Sequence, residues 1–168
     1  MTFSISQFSH VCDIVPQVGG SVVWRWEESF RKLKIASKQL SWVYLSVIDG
    51  EVHKIGKTDN CLGISNLVIG YCKGVFKDRE RHRVAIEEAL GAGKTVRFYG
   101  HWEEPQRVSI SMYDGTEVET VVRVGRDMEK YALDSYFETY RCYPPGNDHE
   151  INCASRGTGT KDERQASD

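Results

Sequence analysis

Residues 42–56 read WVYLSVIDGEVHKIG and contain the pattern that decides the fold. Two runs rich in β-branched and aromatic residues, at 42–48 and 51–55, flank the dipeptide Asp49-Gly50. Asp-Gly between two such runs is a strong hairpin signal, because both residues tolerate the positive φ angles of a tight turn. We therefore predict an antiparallel pair of strands as part of a small sheet.

The turn leaves two registers open for this hairpin. A two-residue loop pairs Leu45 with Lys54 and leaves Tyr44 on the opposite face. A three-residue loop pairs Val47 with Glu51 and so sets Tyr44 opposite Lys54. We favour the second register, because it separates an apolar face from a polar one. One face then holds Val43, Leu45, Val47, His53 and Ile55, and the other holds Tyr44, Ser46, Val52 and Lys54.

A tyrosine beside a lysine can carry acid–base chemistry. A phenol keeps its proton at neutral pH, and a nearby cation stabilises the phenolate and lowers its pKa. Tyr44, with Lys54 at its side, could then take a proton from an attacking water. The alternative is an ordinary cross-strand pair on a solvated face, which sheets use commonly and which the spacing alone favours.

The rest of the chain alternates between helical and strand-like patterns. Apolar residues at helical spacing, Trp26, Phe30 and Leu33, predict a helix within residues 24–40. This order of elements predicts an α+β fold, with a small antiparallel sheet flanked by helices. The further predictions are an irregular, glycine-dotted stretch at 57–76, a helix at 78–90, a strand at 94–102, a second hairpin at 107–113 and 116–123, and a helix at 126–140.

The chain divides into three parts. Residues 1–40 form an N-terminal lead-in and the first helix, and residues 41–150 form the main domain. Residues 151–168 are rich in Ser, Gly, Thr and charge, so we expect a disordered tail. A chain of 168 residues is long enough for one domain with a sizeable core.

Composition narrows the class of protein. The formal net charge is -2, so the chain as a whole lacks the basic signature of nucleic-acid binders, although a local basic patch can still serve. The five cysteines are an odd number and contain no Cys-x-x-Cys pair, so we predict free thiols in a reducing cytoplasm rather than disulfides or a zinc site. The first residues have no positive region and no long apolar stretch, so we expect no secretion signal, no transmembrane helix and no membrane partner.

Glu129 is a candidate metal ligand in the last predicted helix. It is in register with Leu133 and Tyr136 of the apolar stripe, and so points toward the body of the protein. A carboxylate there can bind Mg²⁺, which one or two carboxylates often hold together with water and phosphate oxygens. The alternative is a favourable interaction with the helix dipole alone. The stripe that we expect to be buried contains Met128, Ala132, Leu133, Tyr136, Phe137 and Tyr140.

Together these residues resemble the GIY-YIG nuclease family. That family opens with a hairpin whose strands carry the two name-giving tripeptides, and it places a metal-binding Glu on a later helix. The chain looks most like small Type II restriction endonucleases whose second tripeptide also begins with Lys, a likeness that includes YGHWEEPQ at 99–106 and covers roughly residues 41–147. The matching positions are Val43-Tyr44-Leu45, Lys54-Ile55-Gly56, Glu129 and Pro144-Pro145-Gly146.

The resemblance implies a metal-dependent, sequence-specific DNA endonuclease of the restriction type, with residues 41–150 as a catalytic domain that carries inserted DNA-contacting elements. Tyr44 would be the general base and Lys54 would tune it. Lys57 stands where the subgroup can carry a His near the leaving group or phosphate. Glu129 would hold Mg²⁺ or Mn²⁺, which stabilises charge on the phosphoryl oxygens. The expected products are a 5′ phosphate and a 3′ hydroxyl.

One departure from the family concerns its arginine. The family places an Arg that grips the scissile phosphate on a helix soon after the second tripeptide, but Ser65 or Asn66 occupies that place here. An uncharged side chain cannot offset charge as a guanidinium does. Either Lys73, Arg79 or Arg81 substitutes, or the protein is a catalytically impaired member that only binds nucleic acid.

Double-stranded DNA is the expected partner. Basic side chains around the helix at 78–90 are natural phosphate contacts, although a solvated helix face explains each of them as well. A site cut on both strands has two-fold symmetry, so we expect a homodimer. The predicted DNA-contacting residues are Lys73, Lys77, Arg79, Arg81, Arg83 and, as a match to a late Asn of the family, Asn147.

A third hypothesis is an interaction protein. In that case the first hairpin is only structural, and Glu129 only interacts with the helix dipole. A structure that places Tyr44, Lys54 and Glu129 far apart would favour this hypothesis over both nucleic-acid hypotheses.

Overall fold

The computed structural model describes residues 2–17, 21–36, 38–73 and 80–147, so the tail at 151–168 lies outside the described residues. Within these ranges, no helix combines the length and the apolar character needed to cross a bilayer. The elements are the short 3₁₀ helix Ile5–Gln7, β1 Ser9–Pro16, β2 Val22–Trp26, α1 Glu28–Leu33, β3 Ser41–Ile48, β4 Glu51–Thr58, α2 Gly63–Lys73, α3 Glu80–Gly91, β5 Val96–Glu103, β6 Gln106–Ser111, β7 Glu117–Val122 and α4 Gly125–Tyr140.

Five antiparallel strands form the central sheet in the order β2-β1-β5-β3-β4, which leaves β4 at one edge. Helix α4 packs across β3 and β4 on one face, while α2 and α3 cover the other. Residues that alternate along β3 therefore enter different cores, with Tyr44 packed against α2 and Leu45 against α4. The predicted α+β fold, a small antiparallel sheet flanked by helices, is confirmed.

The first hairpin exists, but neither predicted register holds along its whole length. Its turn has two residues, and the φ angles of 53° at Asp49 and 88° at Gly50 fit a type I′ turn. Val47 pairs with Val52, and the register then shifts by one residue so that Ser46 pairs with Lys54. The preference for a three-residue loop was wrong, because Asp-Gly adopts the two-residue turn whose twist matches the strands.

The bulge at His53 explains why the predicted faces are still mostly correct. The two-residue turn moves each side chain of β4 to the face opposite the one predicted from a three-residue loop. The extra residue His53 moves the side chains beyond it back to the predicted faces. Only Val52 and His53 are exchanged: Val52 packs on the α4 side, and the ring of His53 stacks on His82 of α3 at 5.1 Å. Lys54 keeps its predicted face, but Tyr44 pairs with Gly56 rather than with Lys54. Both predicted registers were continuous, so neither contained this bulge.

The N-terminal part contributes two strands that the sequence analysis missed. Residues 9–16 form β1, and Trp26 ends β2 instead of lying in a helix. The helical spacing of Trp26 and Phe30 was misleading, because their rings stack at 6.0 Å across a corner between strand and helix. Glu27 makes this corner, since its side chain accepts a hydrogen bond from the Phe30 amide at 2.9 Å.

Helix α2 lies where an irregular stretch was predicted. Ile64, Leu67, Val68 and Tyr71 recur at helical spacing and are buried against the sheet. Packing of this face outweighs the low helix propensity of the glycines. Gly63 is required by the loop before it, because its φ is +61° and a Cβ would lie 2.5 Å from the backbone oxygens of residues 36 and 38.

Strands β6 and β7 form the predicted second hairpin, which is a two-stranded sheet separate from the central one. The turn contains Gly115 with a φ of +83°, and the Met112 amide donates to the Thr116 carbonyl at 2.8 Å. Ile110 and Val118 pair across this hairpin and are 47% and 43% exposed. A two-stranded hairpin is marginally stable alone, so its exposed apolar side chains offer a surface that another molecule can cover.

The prediction of free thiols is confirmed for the four described cysteines, while Cys153 lies outside the described residues. Cys61 and Cys142 are exposed. Burial is the main cause that raises the pKa of Cys12 well above its ordinary value, and burial raises the pKa of Cys72 to about 11. The buried Cys12 and the half-buried Cys72 are therefore protonated at neutral pH and act as small apolar groups.

The segment after α4 covers part of the exposed edge of β4. The Asn147 side chain is 1% exposed, and its Oδ1 accepts from the Ile55 amide at 2.8 Å while its Nδ2 donates to the Ile55 carbonyl at 2.7 Å. The Gly146 amide also donates to the His53 carbonyl at 2.7 Å. Asn147 thus supplies the hydrogen bonds that a further strand would make, which is a structural role, and its predicted DNA contact stays a prediction.

Replacing Asn147 with alanine is expected to lower the free energy of unfolding by about 2 kcal/mol, because a buried amide and a buried carbonyl of Ile55 lose their partners. Urea denaturation followed by circular dichroism measures this change. An unfolding midpoint equal to that of the wild type would show that water replaces both hydrogen bonds at no cost.

Candidate active site

A polar cleft of about 340 Å³ lies beside the C-terminal end of β4. It combines residues of β3, β4 and α4, which are distant in sequence and meet because α4 crosses the edge of the sheet. The cleft brings together all four residues predicted to be catalytic. Its lining residues are Tyr44, Lys54, Gly56, Lys57, Thr58, Asp59 and Glu129.

Tyr44 reaches this cleft from inside the protein. Its side chain is 2% exposed, and its ring stacks on Phe98 of β5 at 6.0 Å. The hydroxyl lies 2.9 Å from the hydroxyl of Tyr71, which comes from α2. The ring is therefore held by the core, and Tyr44 is not part of a solvated polar face as the hairpin pattern had suggested.

Gly56 lets the Tyr44 hydroxyl approach the edge of the sheet. The two residues are directly opposite in the hairpin, and a Cβ at position 56 would lie 2.5 Å from the Tyr44 hydroxyl oxygen. No side chain fits under the ring at that distance, so glycine is required for close approach and not for an unusual backbone angle. This explains in physical terms why the tripeptide Lys54-Ile55-Gly56 ends in glycine.

Lys54 lies on the same face of the hairpin as Tyr44 and is half-buried. Its Nζ is 3.5 Å from the Gly146 carbonyl, so the segment that covers β4 also contacts this lysine. The neighbouring His53 adds no positive charge, because burial and, to a smaller extent, the charge of Lys54 lower its pKa. The cationic character at this end of the cleft therefore comes from the ammonium group.

Lys57 enters the cleft from the other face of β4. It pairs with Val43, whose side chain packs under α4, so the lysine leaves the strand on the α4 side. Its Nζ forms an ion pair with Asp59 Oδ2 at 2.8 Å. The two lysines thus line the cleft from opposite faces of one strand.

Asp59, like Thr58, is a lining residue that the sequence analysis missed. It follows β4 directly, and its side chain is 18% exposed. The guanidinium of Arg123 donates to the Asp59 carbonyl at 3.3 Å, which ties this loop to the start of α4. Residues 57–76 had been interpreted as irregular, so no pattern placed this carboxylate relative to Glu129.

Glu129 lies near the start of α4 and is half-buried at the cleft. The predicted orientation toward the body of the protein is therefore observed, whereas the expected apolar stripe is only partly buried. Ala132 and Tyr136 are buried, but Phe137 and Tyr140 are 38% and 52% exposed. The helix dipole also favours a carboxylate in these first turns, so position alone does not distinguish the two roles of Glu129.

The lining residues suit a hard divalent cation. Glu129, Asp59 and Thr58 offer carboxylate and hydroxyl oxygens, and no Cys or His lines the cleft among the described residues. Oxygen ligands of this kind, supplemented by water and phosphate oxygens, are what Mg²⁺ prefers. The described ranges contain no group of three or more His, Cys, Asp or Glu side chains placed to hold a metal. Such a cation would therefore depend on few protein ligands.

The predicted DNA-contacting cations lie away from the cleft or outside the described part of the chain. Lys73 and Arg81 are exposed on α2 and α3, and Arg83 forms an ion pair with Glu87 at 3.1 Å. Neither Lys73 nor Arg81 is among the described lining residues, and their substitution for the family's arginine stays a prediction. Residues Lys77 and Arg79 lie outside the described ranges.

The position of the missing arginine lies in the first turns of α2. Ser65 and Asn66 are both half-buried there, and the Ser65 amide donates to the Ala36 carbonyl at 2.9 Å. A helix is present at this place, as the resemblance implies, but Ser65 and Asn66 carry no charge. Among the residues described in the cleft, Lys54 and Lys57 are the cations.

Comparison with solved structures identifies a similar architecture. A mutant of bacteriophage T4 EndoII has 19% sequence identity to this chain and a TM-score of 0.54, over 79% of this chain and 88% of that one. The two proteins share a fold. Restriction endonuclease HPY188I in complex with product DNA has 18% identity and a TM-score of 0.43, over 85% of this chain and 81% of that one.

The comparison with EndoII concerns the fold alone. No protein-family model matches the chain, and no curated protein matches it. The architecture is shared with EndoII, and the resemblance to the GIY-YIG nuclease family stays a prediction from the sequence. The roles of the individual cleft residues therefore rest on the geometry described above.

Proposed function

We propose that the protein is a metal-dependent DNA endonuclease of the GIY-YIG type that hydrolyses phosphodiester bonds. The observation that carries this proposal is the meeting of Tyr44, two lysines and Glu129 in one polar cleft. A phenol, ammonium groups and a carboxylate are the groups that a hydrolytic phosphoryl transfer needs as base, charge offset and metal ligand. The nuclease fold shared with EndoII supports this reaction class.

In the proposed mechanism, Tyr44 takes a proton from the attacking water. Its ring is fixed by the core, so only its hydroxyl projects over Gly56 toward the substrate. Lys54, on the same face, stabilises the negative charge of the phenolate and so favours proton transfer. A base that is already in place costs no reorganisation when the reaction occurs.

On the other side of the cleft, Lys57 offsets negative charge on the phosphate or the leaving oxygen. Glu129 would hold Mg²⁺ or Mn²⁺, which supplies Lewis-acid stabilisation of charge on the phosphoryl oxygens. The lysine leaves β4 on the α4 side and thus on the side of Glu129. Hydrolysis would leave a 5′ phosphate and a 3′ hydroxyl.

Sequence specificity and assembly extend this proposal. Specificity of the restriction type would come from residues 57–83, the first three of which line the cleft, and from strands within 94–123. A homodimer would match the two-fold symmetry of a site cut on both strands. The exposed apolar side chains of β6 and β7 offer one surface for a second copy. Sedimentation at the monomer mass without DNA, and at the mass of one protein copy per duplex with DNA, would contradict the dimer.

The second candidate is a DNA-binding protein of the same fold without catalysis. The uncharged Ser65 and Asn66 favour it, because a guanidinium that offsets phosphate charge is absent from their helix. Such a protein would bind duplex DNA without metal and leave it intact.

Cleavage of mixed-sequence duplex DNA by the wild-type protein with Mg²⁺ or Mn²⁺ tests the proposal. We expect discrete fragments, which indicate both hydrolysis and sequence preference, and chelation of the metal should abolish them. Intact DNA over a broad set of sequences with both metals, together with retained binding, would establish the second candidate instead.

A further inference from the structure

The cleft contains a carboxylate that the proposed reaction does not use. Asp59 Oδ2 lies 2.8 Å from Lys57 Nζ, and the side chains are 18% and 37% exposed. Negative charge in a cleft that receives phosphate opposes binding by repulsion. Because Oδ2 is engaged by Lys57, we give Asp59 a role through Lys57, and Glu129 remains the carboxylate that would hold the cation.

The second oxygen of Asp59 contacts the helix that carries Glu129. Asp59 Oδ1 is buried and has no hydrogen-bond partner among the described atoms. It lies against Gly125, where a Cβ would be only 2.4 Å away. Residues 125 and 129 are one helical turn apart and share a face of α4. One carboxylate therefore joins Lys57 to the helix face that presents Glu129.

Two hydrogen bonds connect the backbone of Asp59, the start of α4 and the start of β3. Arg123 donates to the Asp59 carbonyl, and the Val124 amide donates to Ser41 Oγ at 3.1 Å at the start of β3. Val124 is the N-cap of α4 and makes no side-chain cap, so these contacts hold the start of the helix against the sheet. The carboxylate consequently has a defined position relative to both β4 and α4.

We infer that Asp59 is a positioning residue that holds Lys57 beside Glu129, and that Lys57 held in this way supplies the cation that Ser65 and Asn66 do not. A lysine ammonium sits on a flexible four-carbon stem, unlike the preorganised planar fork of an arginine. An ion pair at 2.8 Å compensates for that flexibility. The inference rests on the proposed function, because Lys57 must act on phosphate.

The test compares Asp59→Asn and Gly125→Ala with wild type. Asp59→Asn removes the charge from the cleft, so metal-free DNA binding should tighten about two- to fivefold. Its kcat for cleavage should fall roughly 10²-fold, because Lys57 loses its anchor. Gly125→Ala displaces the carboxylate without removing its charge, so kcat should fall similarly while DNA binding does not tighten. A residue of purely structural importance would not make affinity and kcat change in opposite directions.

Asp134→Asn is the matched control, since that carboxylate pairs with Lys130 at 2.5 Å on an exposed face of α4, and neither quantity should change. Acylation of Lys57, mapped on peptides of the protein alone, is a readout that needs neither DNA nor metal. We expect Lys57 to react several-fold faster in both variants. An unchanged acylation rate, or wild-type kcat in Asp59→Asn, overturns the inference, whereas intact DNA with wild type overturns the proposed function.

Discussion

Glu129→Ala is expected to reduce DNA cleavage by about 10³-fold or more while duplex DNA still binds. The proposed cation stabilises charge in the transition state by several kcal/mol, and about 1.4 kcal/mol corresponds to each factor of ten in rate. Few protein ligands are available in the cleft to retain the cation when this carboxylate is removed. Single-turnover cleavage with Mg²⁺, and metal-free binding measured by fluorescence anisotropy, give the two quantities.

Glu138→Ala is the matched control for this prediction. Glu138 is an exposed carboxylate on the same helix and lies outside the cleft. Its removal changes net charge by the same amount, so it corrects for the general electrostatic effect on DNA binding. If both variants cut DNA equally well, Glu129 contributes only to the stability of α4, and the metal would have to be held by other residues.

Gly56→Ala is expected to lower kcat by about 10²-fold and the free energy of unfolding by about 2 kcal/mol. The added methyl group would meet the Tyr44 hydroxyl oxygen at 2.5 Å, so the ring or the strand has to move. Overpacking of this kind costs about 1–3 kcal/mol, and a displacement of about 1 Å at a reacting group can reduce turnover by 10²-fold. Cleavage rate and urea denaturation measured on the same preparation test both effects.

Gly91→Ala provides the control for adding a methyl group. A Cβ at that position meets no atom within 4 Å, so neither cleavage nor stability should fall. Tyr44→Phe separates the two effects of Gly56→Ala, because it removes the hydroxyl and leaves the ring in the core. Wild-type turnover in Gly56→Ala would mean that the position of the Tyr44 hydroxyl does not limit the reaction.

Local sequence patterns were sufficient for the elements that build the candidate site. The Asp49-Gly50 turn predicted the hairpin, and helical spacing around Glu129 predicted the helix whose first turns reach the cleft. The same spacing did not show that Phe137 and Tyr140 lie at the surface, because the width of the buried face depends on what covers it.

Features that depend on contacts between distant segments were not predictable. The bulge at His53 is set by pairing along β3, and Asp59 acquires its surroundings only when α4 packs over the end of β4. Strand β1 pairs with β5, which lies more than 80 residues further along the chain, so no local pattern indicates its place in the sheet. Gly63 is a further example. Glycines within 57–76 led to the prediction of an irregular stretch, whereas α2 begins at Gly63, where a Cβ would lie 2.5 Å from the backbone oxygens of residues 36 and 38.

Strand β4 serves two purposes along its length. Near its middle the outer edge is covered by Asn147, and beyond Gly56 it borders the cleft, with no strand of the described residues paired to it. The unpaired N–H and C=O groups of a strand end can pair with another chain and so favour self-association. The same end of β4 borders the cleft that a substrate would enter. Changes that seal this end to improve solubility will therefore reduce access to the cleft, whereas changes near Asn147 can improve solubility without obstructing it.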